Sequence, residues 1–273
     1  MSEKQLVLSQ SGITTFLHCR RKWHWVYEEN LVRKGTSRPL QVGQVVHRLF
    51  HMDNVNELTF ELLANVDQLV EKLFPDNDAE LSQSVAEEAV GLFVGYKRRF
   101  ASEPLEVVAS ETIIEVDIGY CTLHARVDAL ARAESGRLRR VEHKTTSRFT
   151  ADYLNGVTKG LQNALYDFAS REVLNEPIEG TTFNLLVKTK IPQFHRTFVP
   201  YNQGNVDRML EVVKGVCRSI EREDLYPSMQ CYTYNRECEY KILCEHDSPA
   251  SRSFFVKRES PIHQPLTEEE ETS

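Results

Sequence analysis

Three consecutive segments in the middle of the chain alternate between apolar and polar side chains: ETIIEVDIGY (111–120), TLHARVDALAR (122–132) and LRRVEHKTTS (138–147). A period of two places neighbouring side chains on opposite faces, which is typical of β-strands with one buried face. Ser135-Gly136 favours a turn between the second and third segments. We therefore predict three strands in sequence that pair as an antiparallel meander.

The flanking sequence has a different periodicity, with apolar residues at helical spacing. Helices are predicted at 41–52, 57–74, 82–100, about 152–174 and about 203–222. A further strand is predicted at 182–188. Together these elements predict an α/β fold, with a mixed central sheet flanked by helices and a helical N-terminal portion.

The composition is ordinary for a globular protein, with 41% hydrophobic and 27% charged residues. No stretch approaches the ~18 apolar residues of a membrane helix, and the N-terminus MSEKQLVLSQ is too polar for a secretion signal. We expect a cytoplasmic protein with no membrane contact. The net charge of −7 argues against broad adhesion to nucleic acid, although acidic groups around a metal and the acidic run 268–271 can mask a local basic groove.

Side chains on the second and third predicted strands can form a metal site. Glu142 and Lys144 are two residues apart and point to the same face, while His143 points away and leaves its backbone carbonyl on the working side. Asp128 on the preceding strand comes close to Glu142 in an antiparallel pair. Facing carboxylates repel unless a cation lies between them, and Mg²⁺ or Mn²⁺ prefers oxygen ligands. The alternative is an ordinary exposed strand that happens to carry Glu-x-Lys.

The order of four short motifs resembles a known family. VD (127–128) followed by VEHK (141–144) resembles the split D…E-x-K signature of the PD-(D/E)XK nuclease superfamily. GQVVHRLF (43–50) is similar to the G-x-x-x-H element of its RecB/AddB-like exonuclease branch, and GLQNALYDF (160–168) resembles the Q-x-x-x-Y motif of that branch. The proline of the superfamily's name is missing here, as it often is in this branch.

The resemblance implies a restriction-endonuclease-like fold and hydrolysis of phosphodiester bonds with Mg²⁺ or Mn²⁺. It implies metal ligands at His47, Asp128, Glu142 and the backbone carbonyl of His143, a catalytic lysine at Lys144, and DNA-backbone or supporting contacts from Gln162 and Tyr166. Without the resemblance, a histidine, a glutamine and a tyrosine on helices would be read as ordinary packing or surface residues.

Six cysteines in a chain expected to be in a reducing compartment indicate metal binding rather than disulfides. Cys231, Cys238 and Cys244 lie close together in sequence, and Cys19 lies far upstream. Four thiolates can hold a [4Fe–4S] cluster or a tetrahedral Zn²⁺. The long steps between the cysteines favour the cluster, because zinc sites use short Cys-x2–4-Cys steps. Free, partly buried cysteines are the remaining alternative.

One N-terminal cysteine and three C-terminal ones also resemble the iron–sulfur RecB-like nucleases, which include AddB, the CRISPR-associated exonucleases and phage relatives. This resemblance implies that Cys19, Cys231, Cys238 and Cys244 bind a [4Fe–4S] cluster that staples the two ends of the nuclease domain. The step from Cys231 to Cys238 is longer than in many of these relatives. Zinc therefore stays open as an alternative.

We expect one nuclease domain and a tail, organised as follows: the domain over 1–260, with a helical elaboration at about 41–100, a catalytic core at about 105–200 and a cluster-binding end at 226–246, and an acidic disordered tail over 261–273. The expected activity is exonucleolytic cleavage of DNA, with single-stranded ends favoured. The basic and aromatic run RRKWHW (20–25) suits single-strand binding, or its tryptophans pack inward.

The sequence contains no G-x4-G-K-[ST] motif, so any unwinding would come from a partner in DNA repair, recombination or CRISPR adaptation, such as a helicase. Two other functions stay open. One is a catalytically inactive nucleic-acid-binding module that keeps the fold and its iron–sulfur or zinc site. The other is a zinc-stapled scaffold protein.

Overall fold

The computed structural model describes residues 6–174, 176–233 and 236–258. The predicted acidic tail over 261–273 lies outside the described residues. The helices are α1 (Gln10–His18), α2 (Arg20–Trp23), α3 (Arg38–Asn54), α4 (Phe60–Ala64), α5 (Val66–Leu73), α6 (Ala79–Arg99), α7 (Ala151–Thr158), α8 (Leu161–Leu174), α9 (Gln203–Glu221), α10 (Lys241–Glu245) and α11 (Pro249–Arg252), with a π-helical segment at His24–Glu28. The strands are β1 (Val7–Ser9), β2 (Leu31–Arg33), β3 (Glu106–Asp117), β4 (Thr122–Arg132), β5 (Leu138–Thr146), β6 (Ile178–Val187), β7 (Gln193–Pro200), β8 (Tyr232–Thr233), β9 (Arg236–Glu237) and β10 (Phe255–Lys257).

The chain divides into two compact units. Unit 1 comprises Met1–Lys34, Glu115–Ala125 and Gly204–Ser273, and unit 2 comprises Gly35–Ile114 and Arg126–Gln203. Strands β3 and β4 each pass from one unit into the other. The expectation of a single domain over 1–260 stays a prediction.

The sheet in unit 2 is mixed, as predicted. Strand β4 pairs antiparallel with β5, β5 pairs parallel with β6, β6 pairs antiparallel with β7, and β3 pairs with β4. The parallel β5–β6 pair requires a crossover connection, which helices α7 and α8 provide. The mixed sheet with flanking helices confirms the α/β class.

Helices α3, α5 and α6 form the main apolar core of unit 2. Helix α3 buries residues at spacings of three and four, which is the pattern of one helical face. The buried residues of this cluster that lie on α3 are Val42, Val45, Val46, Leu49 and Phe50. They pack with residues of α5 and α6 and with Leu186 of β6. This packing fixes α3, which carries His47, within unit 2.

Several elements differ from the sequence prediction, and the helix predicted at 57–74 is two helices, α4 and α5, that meet at Asn65. The single helix predicted at about 152–174 is two helices, because the chain turns at Gly160, where a Cβ atom would lie 2.3 Å from the carbonyl oxygen of Gly156. Strand β7 was not predicted, because it pairs along one side only with β6 and most of its residues stay partly exposed, so its alternation is weak.

Unit 1 contains smaller pairings and its own core. Strand β1 pairs parallel with the first residues of β4, and β2 pairs antiparallel with β10. Trp23 and Trp25 are 3% and 4% exposed, and Trp25 packs in a cluster with Tyr240 and Leu243. The tryptophans of the basic and aromatic run therefore pack inward, which removes their rings from any stacking surface.

None of the helices in the described part of the chain is long and apolar enough to cross a membrane.

The close approach of β6 and β7 gives a test of the fold. Gly180 has a φ of 149°, and a Cβ atom there would lie 2.1 Å from the carbonyl oxygen of Val199. We expect Gly180→Ala to lower the free energy of unfolding by about 1–3 kcal/mol. Gly91→Ala on α6 is the matched control, because a Cβ there meets nothing within 4 Å; it should raise stability by about 0.5–1 kcal/mol. Urea unfolding measures both, and a Gly180→Ala protein as stable as wild type contradicts the packing described.

Candidate metal centre

The carboxylate of Asp128 lies where strands β4 and β5 stop pairing. The β4–β5 ladder ends at the pair Ala129 and Val141. Beyond it, the backbone N–H of His143 donates to Oδ2 of Asp128 at 2.7 Å. A buried backbone donor needs a partner, and here a side chain supplies it. The centre is therefore built at an opening in the sheet.

His47 of α3 approaches the other oxygen of the same carboxylate. Its Nδ1 lies 3.3 Å from Oδ1 of Asp128. Burial by itself would lower the pKa of His47, but the Asp128 carboxylate outweighs burial and raises that pKa to about 9. Burial likewise would raise the pKa of Asp128, but the positive charge of His47 holds it below its ordinary value. The two residues form an ion pair when no other cation is present.

Glu111 of β3 is the third member of this group, and sequence reasoning missed it. One carboxylate oxygen of Glu111, a ring nitrogen of His47 and an oxygen of Asp128 all lie within 4.8 Å of one another. Within the described residues, this is the one set of three or more His, Cys, Asp or Glu ligand atoms that lie so close. Burial, followed by the charge of Asp128, raises the pKa of Glu111.

An irregularity in β3 directs Glu111 toward the centre. Its φ of 52° is left-handed, a conformation that costs a non-glycine residue about 1–2 kcal/mol. The neighbouring Ser110 is held in place, because its hydroxyl donates to the carbonyl oxygen of Asp128 at 3.2 Å and lies 3.0 Å from Nδ1 of His51. Arg126 of β4 pairs with Oε2 of Glu111 at 2.6 Å. Contacts on both sides thus support the strained residue.

Glu142 and Lys144 lie on the same face of β5, as the two-residue spacing predicts, and both contact Gln162 of α8. Nζ of Lys144 lies 2.5 Å from Oε1 of Glu142 and donates to Oε1 of Gln162 at 3.0 Å. Nε2 of Gln162 donates to the same Oε1 of Glu142 at 2.8 Å. The three side chains form a closed hydrogen-bonded set.

Burial and neighbouring charges shift the pKa values of Glu142 and Lys144. Burial and then Asp128 raise the pKa of Glu142. Burial by itself would lower the pKa of Lys144. The negative charges of Glu142 and Asp128, with the hydrogen bond to Glu142, together have the larger effect and raise that pKa, so the ammonium group stays protonated. Oε2 of Glu142 is buried and has no hydrogen-bond partner. A buried carboxylate oxygen without a hydrogen bond is unfavourable, and its nearest positive group is Nη1 of Arg140, 3.9 Å away.

Glu142 lies outside the group of His47, Glu111 and Asp128, but its charge affects the pKa of His47. The charges of Glu142 and Lys144 both contribute to the pKa of His47. The donors available are carboxylate oxygens and an imidazole nitrogen, which fit a hard divalent ion such as Mg²⁺ or Mn²⁺.

The ring of His143 lies on the other side of β5. It stacks on Phe50 with ring centroids 3.8 Å apart, and burial lowers its pKa to about 3. The ring is therefore neutral and packs against α3. Only the backbone carbonyl of this residue was predicted as a ligand.

The two predicted residues on α8 occupy different places. Gln162 contacts both Glu142 and Lys144, as described above. The ring of Tyr166 faces the guanidinium of Arg140, 5.3 Å from its centroid, and burial raises the pKa of the tyrosine. Gln162 therefore touches the centre directly, and Tyr166 lies beside it.

The four predicted cluster ligands come together in unit 1. Cys19, Cys231, Cys238 and Cys244 line one small cavity, together with Trp25 and Tyr240 among others. Burial and then the other three thiols raise the pKa of Cys244 to about 11. The backbone N–H of Lys22 donates to Sγ of Cys19 at 3.5 Å. The far upstream cysteine thus lies beside the other three, and their role as cluster ligands stays a prediction.

The sequence model of the PD-(D/E)XK nuclease superfamily matches residues 7–245. The chain belongs to this superfamily. PD-(D/E)XK nucleases use divalent metals, and the group of His47, Glu111 and Asp128 is an acidic and histidine site of the kind that they need.

Two solved structures are similar to this PD-(D/E)XK chain. A candidate exonuclease from Eubacterium rectale has a TM-score of 0.60 at 14% identity, covering 89% of this chain and 88% of its own. The structure of SSO0001 has a TM-score of 0.34 at 15% identity, covering 77% of this chain and 97% of its own. The first shows the same fold. A search of curated proteins gives no match.

The raised pKa of His47 predicts how stability depends on pH in metal-free protein. The pKa rises from 6.5 to about 9 on folding, so protonation of the ring stabilises the fold fully below pH 6.5 and this contribution disappears as the pH rises through 9. We expect the stability difference between wild type and His47→Asn, measured by urea unfolding in EDTA, to be larger at acidic than at strongly alkaline pH. A difference that is the same at both pH values contradicts the His47–Asp128 ion pair.

Proposed function

We propose that this protein is a metal-dependent deoxyribonuclease that hydrolyses phosphodiester bonds at DNA ends, with single strands favoured. The observation that carries the proposal is the convergence of His47, Glu111 and Asp128 within 4.8 Å in a PD-(D/E)XK chain. The charge of Glu142 raises the pKa of His47, and the charge of Lys144 lowers it, so both groups lie close to this centre.

The proposed ligands of the ion are His47, Glu111, Asp128, Glu142 and the backbone carbonyl of His143. When bound, a Mg²⁺ or Mn²⁺ ion would acidify a water molecule and neutralise charge on the phosphate. Lys144 keeps its proton and would stabilise negative charge that develops on the phosphate. Gln162 holds Lys144 and Glu142 in place through its amide. Tyr166 would support the site or contact the DNA backbone.

The preference for DNA ends rests on two supports. The structural neighbour from Eubacterium rectale is described as a candidate exonuclease. The four motifs around His47, Asp128, Glu142 and Gln162 resemble the RecB/AddB-like exonuclease branch. A partner helicase would supply any unwinding for repair, recombination or CRISPR adaptation.

Removing the lysine tests the proposal most directly. We expect Lys144→Ala to reduce Mn²⁺-dependent cleavage of labelled single- and double-stranded DNA by about 100-fold or more, because a charge that stabilises the transition state is lost. Lys97→Ala is the matched control, because Lys97 pairs with Asp53 at 2.7 Å on α3 and α6, away from β5. Circular dichroism checks the fold of both proteins. Equal cleavage by Lys144→Ala and wild type would refute the assigned centre.

Glu111 gives a separate test of the ligand set. We expect Glu111→Gln to weaken Mn²⁺ binding by at least about tenfold, since a direct ligand should matter no less than the residues that orient ligands. Glu115→Gln on the same strand is the control, because its exposed carboxylate pairs with His124. Isothermal titration with Mn²⁺ in the absence of DNA measures both. Unchanged Mn²⁺ affinity in Glu111→Gln would remove this residue from the ligand set.

We also propose that Cys19, Cys231, Cys238 and Cys244 bind a [4Fe–4S] cluster, as in the iron–sulfur RecB/AddB-like nucleases. The four cysteines line one cavity, which supports a metal group held by all four thiolates. The long steps between the cysteines in sequence favour a [4Fe–4S] cluster over zinc, which prefers Cys-x2–4-Cys steps.

The colour of the protein tests the cluster. Anaerobically purified protein should be brown, with absorbance near ~400 nm and bound iron. Cys238→Ala should lose the colour and melt at lower temperature, while Cys217→Ser, at a buried position outside the cavity, should keep the colour. A colourless wild-type protein that contains zinc would instead support the zinc alternative.

A further inference from the structure

Arg140 is a buried arginine that stands behind the metal centre. It lies on β5 two residues before Glu142, so both side chains point to the same face, and it is 1% exposed. Nε donates to Oδ1 of Asp167 at 3.0 Å, and Nη2 donates to Oδ1 of Asn163 at 2.7 Å and to Oγ1 of Thr181 at 2.6 Å. Two of its three nitrogens are therefore fixed by α8 and β6.

The third nitrogen faces Glu142. Nη1 of Arg140 is buried and has no hydrogen-bond partner, and the same is true of Oε2 of Glu142. These two atoms, of opposite charge, lie 3.9 Å apart. A movement of about 1 Å would bring them to the length of a charge-assisted hydrogen bond. Buried polar atoms are rarely left unpaired, so this contact is favoured.

The surroundings identify Glu142 as the group that would move. The guanidinium is held by three partners, and Thr181 also donates to Asp167 at 3.0 Å. The carboxylate of Glu142 is held only at Oε1, by Lys144 and Gln162. A clamp on Oε2 would stop the carboxylate from rotating.

We propose that Arg140 is a positioning residue that orients Glu142 for the divalent ion. It fixes Oε2 while Lys144 and Gln162 fix Oε1, so the carboxylate keeps one orientation toward the centre. This inference rests on the proposed function, because it assigns Glu142 to the ion. It differs from a purely structural role, in which Arg140 would only balance the charge of Asp167.

The two roles predict different effects on metal binding. Arg140→Met alone would leave the buried carboxylate of Asp167 without a positive partner, and such a protein can fail to fold. The double variant Arg140→Met with Asp167→Asn removes both charges together. Asp167→Asn alone is the matched control, because Asn163 and Thr181 still hold the guanidinium. Arg140→Lys keeps a positive charge near Oε2 but cannot make the same set of contacts.

The experiment measures Mn²⁺ affinity by isothermal titration on metal-free, full-length protein without DNA, with thermal melting of each variant. We expect the double variant to bind Mn²⁺ about tenfold more weakly than Asp167→Asn, and Arg140→Lys to recover part of that loss. Equal Mn²⁺ affinity in the double variant and Asp167→Asn would overturn the proposal.

Cleavage of DNA separates this inference from the proposed function. A wild-type protein that cuts DNA, with no difference in Mn²⁺ affinity between the two variants, would overturn only the role of Arg140. A wild-type protein that binds Mn²⁺ and shows the tenfold difference but cuts no DNA would support the role of Arg140 and overturn the nuclease activity.

Discussion

Asp128 of β4 contacts three other elements of unit 2, two through its carboxylate and one through its backbone carbonyl. It accepts the backbone N–H of His143 on β5 at 2.7 Å and lies 3.3 Å from Nδ1 of His47 on α3. The backbone carbonyl oxygen of Asp128 accepts a hydrogen bond from the hydroxyl of Ser110 on β3. A buried carboxylate is unfavourable unless opposite charge or hydrogen bonds compensate for it. The Asp128 carboxylate therefore adds a charged contact to the apolar packing that holds α3 against the sheet.

The negative charge of Asp128 disfavours the ionised forms of Glu111 and Glu142 when no cation is nearby. Burial and Asp128 raise the pKa of both Glu111 and Glu142, so each carboxylate would be stabilised by a positive charge beside it. His47 supplies part of that charge when it is protonated. A divalent ion would compete with this proton for the same site, which couples metal binding to pH and to the stability of the fold.

Strand alternation predicted the geometry of β5, the family resemblance supplied His47 and Gln162, and both missed the parts that depend on tertiary contacts. The period of two placed Glu142 and Lys144 on one face of β5 and His143 on the other, because alternation is a property of any extended strand. Glu111 was not predicted, because regular alternation groups it with the exposed Glu115. Its left-handed φ of 52° depends on contacts of Ser110 with α3 and β4, which lie far away in the sequence.

Three consecutive residues of β5 serve different purposes because both faces of the strand are covered. On one face, Glu142 and Lys144 meet Gln162 of α8. On the other, the ring of His143 stacks on Phe50 of α3, where burial keeps it neutral. A charged ring there would add a second buried cation close to Asp128 and compete with a metal ion for its carboxylate. Burial of the His143 ring therefore leaves the negative charge of Asp128 to His47 and the ion.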